Sequence, residues 1–223
     1  MLHSLLLNFD WHQLRKPEFY IDHGGLYLIL FIVFAETGLF FGFFLPGDSL
    51  LFVAGIYCDR LMHSQNDVFA LLMLWILISI VGILGNVVGF WFGWKSGPLL
   101  YQRKDTWFFK QKHLQKAHDF FEEHGGGAII FARFLPIIRT FAPIVAGIVR
   151  MDRRTFTIYN IIGCLGWVFL MLVGGHYLQQ FVLRKYNFDL KEHIDVVVVL
   201  IIVITTAPVL IKLFFGKKKT TNG

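Results

Sequence analysis

Four ionisable residues lie inside otherwise apolar stretches of this chain: Glu36, Asp48, Arg133 and Arg139. The two acids flank Pro46-Gly47, and the two arginines flank Pro136. A charge at membrane depth costs roughly 2.5 to 3.5 kcal/mol on insertion scales and by default marks a substrate or ion path. A helix break at that depth is tolerated only where the backbone faces protein or a water-filled cavity. Charge and break coincide twice here, with opposite sign. That is the pattern of a transport site.

Arginine suits a phosphate because its planar guanidinium donates in a fork, stays charged and is weakly hydrated. Arg133 and Arg139 together match a phosphate monoester of charge near −2. The structural alternative is that they pair with Glu36 and Asp48 and lock two segments together. Both can hold if the acids neutralise the arginines until a phosphate competes for them. Only the acids titrate, so proton uptake should then accompany phosphate binding. Pro46, Pro136 and Pro143 are expected to break helices, and Gly47 to permit a turn. Asn86 and Asn160 either satisfy backbone groups freed by those breaks or bond between helices.

The elements that position these residues follow from composition. The chain has 223 residues, 56% of them hydrophobic, with 25 Phe and only 16% charged, against about 25% charged in an average soluble domain. Val68 to Trp94 and Thr155 to Leu183 contain no Asp, Glu, Lys or Arg. Each exceeds the ~20 residues that span a hydrocarbon core. Val196 to Ile211 is shorter but extends through Lys212, which can snorkel, to Phe215. An all-α, polytopic membrane protein of a single domain, residues 1–223, is expected. The net charge of +6 is explained by basic loops beside spans rather than by nucleic acid. Cys58 and Cys164 form no C-x-x-C pair, and the nine histidines show no ligand spacing, so no metal site or cofactor is expected. The N-terminus lacks the pattern of a removable leader.

Met1 to His23 reads as an interfacial segment. Gly24 to Tyr57 is too long for one span and short for two, which predicts a re-entrant hairpin turning at Pro46-Gly47. Asp105 to Glu123 reads as a surface helix ended by Gly125 to Gly127. Ala128 to Val149 matches one span by length, but basic loops on both sides make it a second hairpin. Thr155 to Leu178 crosses, and Ile194 to Phe215 crosses back. On this path one side carries 13 Lys and Arg and the other six, so the first is cytoplasmic, the C-terminal tail included. The hairpins then enter from opposite faces. FLPGDSLLFVAG (Phe44 to Gly55) parallels FLPIIRTFAPIVAG (Phe134 to Gly147), and Asn86 to Gly89 echoes Asn160 to Gly163. An inverted repeat follows, residues 24–94 against 125–180, with a final span at 194–215, an architecture of secondary transporters.

AETGLFFGFFLPGDSLLFVAG, Ala35 to Gly55, and ARFLPIIRTFAPIVAG, Ala132 to Gly147, resemble the signatures of the DedA family. The similarity runs from about Gly24 to Gly175. It implies two opposed re-entrant hairpins and lipid transport across the bacterial inner membrane, of undecaprenyl phosphate in some members, with phospholipid scrambling and proton-motive-force dependence in others. The implied functional acids fall on Glu36 and Asp48, and the arginines on Arg133 and Arg139. The chain departs at Asn86, where many members carry an acid. The implied partners are polyprenyl phosphate or phospholipid, and protons; homo-oligomerisation stays open. The alternatives are a proton-coupled exporter of small ions and a membrane structural or assembly factor. An enzyme is not expected, since neither hairpin core holds a histidine or cysteine nucleophile.

Overall fold

The computed structural model describes residues 25–39, 47–101, 119–187, 189–190 and 196. The interfacial segment Met1 to His23, Pro46, most of the surface helix from Asp105, the final span and the lysine tail lie outside them. The elements among the described residues are helical: α1 (Leu26–Gly38), α2 (Gly47–Ile56), α3 (Cys58–Leu61), α4 (Asp67–Tyr101), α5 (Gly127–Ala132), α6 (Pro136–Ile148) and α7 (Arg153–Tyr186).

Helices α4 and α7 are the long ones, 35 and 34 residues. Both are apolar enough to cross a bilayer, and only 33% and 39% of their most apolar stretches are buried inside the protein. A soluble core helix of this composition would be mostly covered. Here Val68, Leu84 and Phe92 on α4 and Phe169 and Phe181 on α7 face outward.

Local chemistry sets the helix ends. Asn66 Oδ1 accepts from the amides of Val68 and Phe69 at 3.1 and 3.2 Å and starts α4. Asp152 caps α7 through Thr155 N at 2.8 Å, satisfying an amide that the first helical turn leaves unpaired. Gly125, at φ +54, ends the helical stretch 119–124 in the left-handed conformation, as the glycine run predicted. Leu135 is extended ahead of Pro136, which opens α6, because a residue before proline is pushed out of the helical region.

Three boundaries differ from the sequence reading. Pro143 breaks nothing: α6 continues through it, at the cost of one backbone bond to the carbonyl of Arg139. Pro98 likewise sits inside α4, which runs past Trp94 to Tyr101. Helix α7 runs past the expected end of the crossing segment at Leu178 to Tyr186, with Asn187 left-handed at its end. The second apolar segment is also lopsided, with a six-residue α5 against a 13-residue α6.

Packing is reciprocal. Helix α4 packs on α1 and on α6, while α7 packs on α5 and on α2. Each long helix thus lies against the first arm that precedes it and the second arm of the other pair. Glycines allow the approach: a Cβ on Gly55 would strike Leu172 O, and one on Gly147 would strike Phe90 O. In the same way Gly175 meets Phe52 O and Gly93 meets Ile144 O. The spacing from Phe90 to Gly93 on α4 matches that from Leu172 to Gly175 on α7. Carried back along both helices, the same spacing pairs Gly82 with Cys164, which meet where the long helices cross. The echo of Asn86 to Gly89 in Asn160 to Gly163 does not follow that spacing, and the two asparagines bond to each other.

Candidate functional site

Glu36 comes from the last turn of α1 and Asp48 from the first turn of α2. An acid in a first turn is favoured by the helix dipole. Arg139 lies one turn into α6, and Arg133 sits in the turn between α5 and α6. All four are brought to the interior: Glu36 is 3% exposed and Arg133 7%, and the Arg139 and Asp48 side chains are 8% and 13% exposed.

The two arginines have different partners. Arg139 Nη2 donates to Glu36 Oε1, and its Nη1 donates to Asp48 Oδ1. One guanidinium thus bridges both acids and ties α1 and α2 to α6. Arg133 has no carboxylate partner among the described residues. Its Nη2 donates to Asn160 O at 3.1 Å and to Asn160 Oδ1 at 2.5 Å. Its Nε has no hydrogen-bond partner among the described residues, and its side chain lies against Gly163, where a Cβ would come within 2.8 Å of Nε.

The asparagines link the two long helices, and Asn160 also holds Arg133 in the turn between α5 and α6. Asn86 Nδ2 donates to Asn160 Oδ1 at 2.9 Å, and Asn160 Nδ2 donates to Ile83 O at 3.3 Å. Asn160 is fully buried, and its side-chain oxygen accepts from both Asn86 and Arg133. Gly47 opens α2 against Glu36: a Cβ there would overlap Glu36 Oε2. Its role is therefore close approach as well as a turn.

Sequence reasoning missed Trp167. Its indole N–H donates to Asp48 Oδ1 at 3.0 Å, and the Arg139 guanidinium lies over its ring at 4.7 Å. It is 1% exposed, and a buried indole needs a partner for its N–H. The only sequence signal was a tryptophan within a span near its middle, away from the interfaces where this residue collects. With every group ionised, the two acids and two arginines sum to zero charge. No group of three or more His, Cys, Asp or Glu is placed to hold a metal ion among the described residues.

A buried, balanced charge cluster held between long apolar helices defines a membrane protein with a polar interior site. The VTT domain model matches residues 26–177, and the chain belongs to this family, the DedA family of membrane proteins. It is 40% identical over 188 residues to "Protein DedA" of Escherichia coli, covering 83% of this chain and 84% of that one. An uncharacterized membrane protein of Mycobacterium leprae is 35% identical over 176 residues, 78% and 75% of the two chains. The E. coli inner membrane protein YqjA is 29% identical over 172 residues, 76% and 73% of the two chains. No solved structure matches the chain significantly.

Proposed function

We propose that this protein translocates a phosphate-headed lipid, undecaprenyl phosphate or a phospholipid, across the bacterial inner membrane, linked to protons. The observation that carries the reading is Arg133: a buried guanidinium with no carboxylate partner among the described residues and an unpartnered Nε. A phosphate can take it without first displacing an acid. The anion then competes for Arg139, and loss of that guanidinium leaves Glu36 and Asp48 to be neutralised by protons. The outward apolar surface of α4 and α7 suits acyl or isoprenoid chains.

The membrane architecture belongs to the same proposal. Helices α1–α2 and α5–α6 form two re-entrant hairpins entering from opposite faces, related as an inverted repeat. The reciprocal packing and the self-equivalent Gly82–Cys164 contact support it, since a two-fold axis must pass through such a pair. The side bearing Lys95, Arg150 and the tail lysines is cytoplasmic by the basic-residue count. Labelling of single cysteines placed at Lys112, Lys218 and Asn187 checks this: the first two should react from one side and the third from the other.

A second reading has an observation of its own. The Arg139 bridge to two acids is what a purely structural lock looks like, and an assembly role needs no substrate. Reconstitution in liposomes with a headgroup-accessibility assay separates the readings. Arg133→Lys should abolish most lipid movement, because lysine keeps the charge but not the planar fork. Wild-type transport in Arg133→Lys and in Arg133→Gln would leave the structural reading. Glu36→Gln and Asp48→Asn should fold and should flatten the pH dependence of transport; an unchanged pH profile in both removes the proton linkage.

A further inference from the structure

At one end of the two long helices, about two turns along α7 from Asn160, two arginines converge on one indole. Arg153 Cζ lies 4.4 Å and Arg150 Cζ 5.4 Å from the Trp94 ring centroid. Lys95 Nζ stands 3.9 Å over Trp91, one turn away. Trp94 is anchored from below by Phe90, which stacks on Phe156 at 4.2 Å between centroids.

Like charges gathered on one ring repel each other unless an anion offsets them. Among the described residues neither arginine forms an ion pair. The adjacent acid, Asp152, is committed to the amide and hydroxyl of Thr155, both at 2.8 Å. Glu122 lines the neighbouring cleft with Arg150. Arg150 also holds a left-handed backbone, φ 57, a conformation that favours glycine or asparagine. Its side chain, exposed and laid toward Trp94, is what this position presents.

The cluster has a direction. Trp91 and Phe92 beside it are 56% and 57% exposed, and the outward apolar row continues along α4 through Val88 and Leu84 and on α7 through Ile158 and Ile162. A ligand here meets cations at one end and hydrocarbon-facing surface at the other. We propose that Arg150, Arg153, Lys95, Trp91 and Trp94 form a binding site for an anionic phospholipid headgroup, distinct from the central Arg133 and Arg139 site and independent of any transport role. Basic side chains at a membrane surface attract anionic lipid, and stacking on the indoles fixes where they sit.

The test uses the purified full-length chain in detergent, with thermal unfolding followed against added phosphatidylglycerol, phosphatidylcholine or inorganic phosphate. Phosphatidylglycerol should raise the melting temperature, and the other two should not. Arg150→Gln/Arg153→Gln should need roughly 10- to 30-fold more phosphatidylglycerol for the same rise. Arg184→Gln/Lys185→Gln, about 45 Å along α7, should respond as wild type. An unaltered lipid-induced rise in the arginine variant means that the cluster only clamps the 149–152 loop, and overturns the proposal. So does an equal loss in the Arg184/Lys185 variant, or equal stabilisation by inorganic phosphate. A second measurement needs no arginine variant: lipid brominated near the headgroup should quench the fluorescence that wild type has and Trp94→Phe lacks. Greater quenching by brominated phosphatidylglycerol than by brominated phosphatidylcholine is expected, and equal quenching overturns the site.

Discussion

Arg139 and Arg133 are six residues apart, both buried and both on the second hairpin-like pair, yet their surroundings are opposite. Arg139 faces two carboxylates and an indole. Arg133 has no carboxylate partner among the described residues and lies against neutral groups, the two oxygens of Asn160 and the Cys164 side chain. The reason is where the turn falls. Arg139 lies one turn into α6, on the side that meets α1 and α2, while Arg133 sits before the break and is directed toward α7. The same residue type is thus tied to two acids in one place and held by neutral groups in the other.

The largest effect should come from removing the tie. Arg139→Ala leaves two buried carboxylates without their cation and should cost about 3 to 5 kcal/mol, as broken buried pairs do. Arg133→Ala strands no acid and should destabilise clearly less. Chemical or thermal unfolding of the two variants in one detergent measures the difference; equal losses would erase the contrast. Neutralising one acid together with the arginine, as in Arg139→Gln/Asp48→Asn, should recover part of the stability. If Arg139 also meets substrate, transport should stay low in that double variant.

Trp167 gives an intermediate effect. Trp167→Phe keeps a ring beneath Arg139 but removes the donor to Asp48, leaving a buried carboxylate one partner short. A loss of about 1 to 3 kcal/mol is expected, with Trp167→Leu worse because the cation–π contact goes as well. Unfolding of both variants checks the order, and a neutral Trp167→Phe would show that the hydrogen bond contributes nothing.

The smallest effect sharpens the comparison by lying outside it. The Thr155 amide and hydroxyl hold the Asp152 carboxyl below its usual value of 3.8. A depressed carboxyl pKa contributes stability above the unfolded value, and that contribution is lost as the pH falls through the folded value. Asp152→Ala should therefore melt slightly below wild type at neutral pH. The gap should begin to shrink below about pH 4 and close once the pH has fallen through the folded value. A gap that persists at low pH would mean that the cap acts through something other than its charge.

Much of the scaffold was legible along the chain. Apolar runs longer than a bilayer marked α4 and α7, Gly125 marked a helix end, and four charges in apolar surroundings marked the interior cluster. Those features are local: they depend on side-chain hydropathy and backbone freedom at each position. Pro143 was misread because a proline in a packed helix removes one backbone bond without forcing an end, and α6 is held by α4 and α1 around it. The Asn-x-x-Gly echo gave no hint that Asn86 and Asn160 bond to each other, because that contact depends on where the two long helices cross.

The residue types alone determined that opposite charges would meet, because isolated charges are costly in hydrocarbon. Which arginine met the acids was decided only by tertiary structure, through the place where α5 ends and the face that α6 turns toward α1 and α2. Tertiary structure also brought Trp167, 119 residues from Asp48 in sequence, to bond and stack at the same point. Side-chain chemistry is written residue by residue, but partnership depends on helix crossing and register, and a glycine's close approach to a distant carbonyl fixes those.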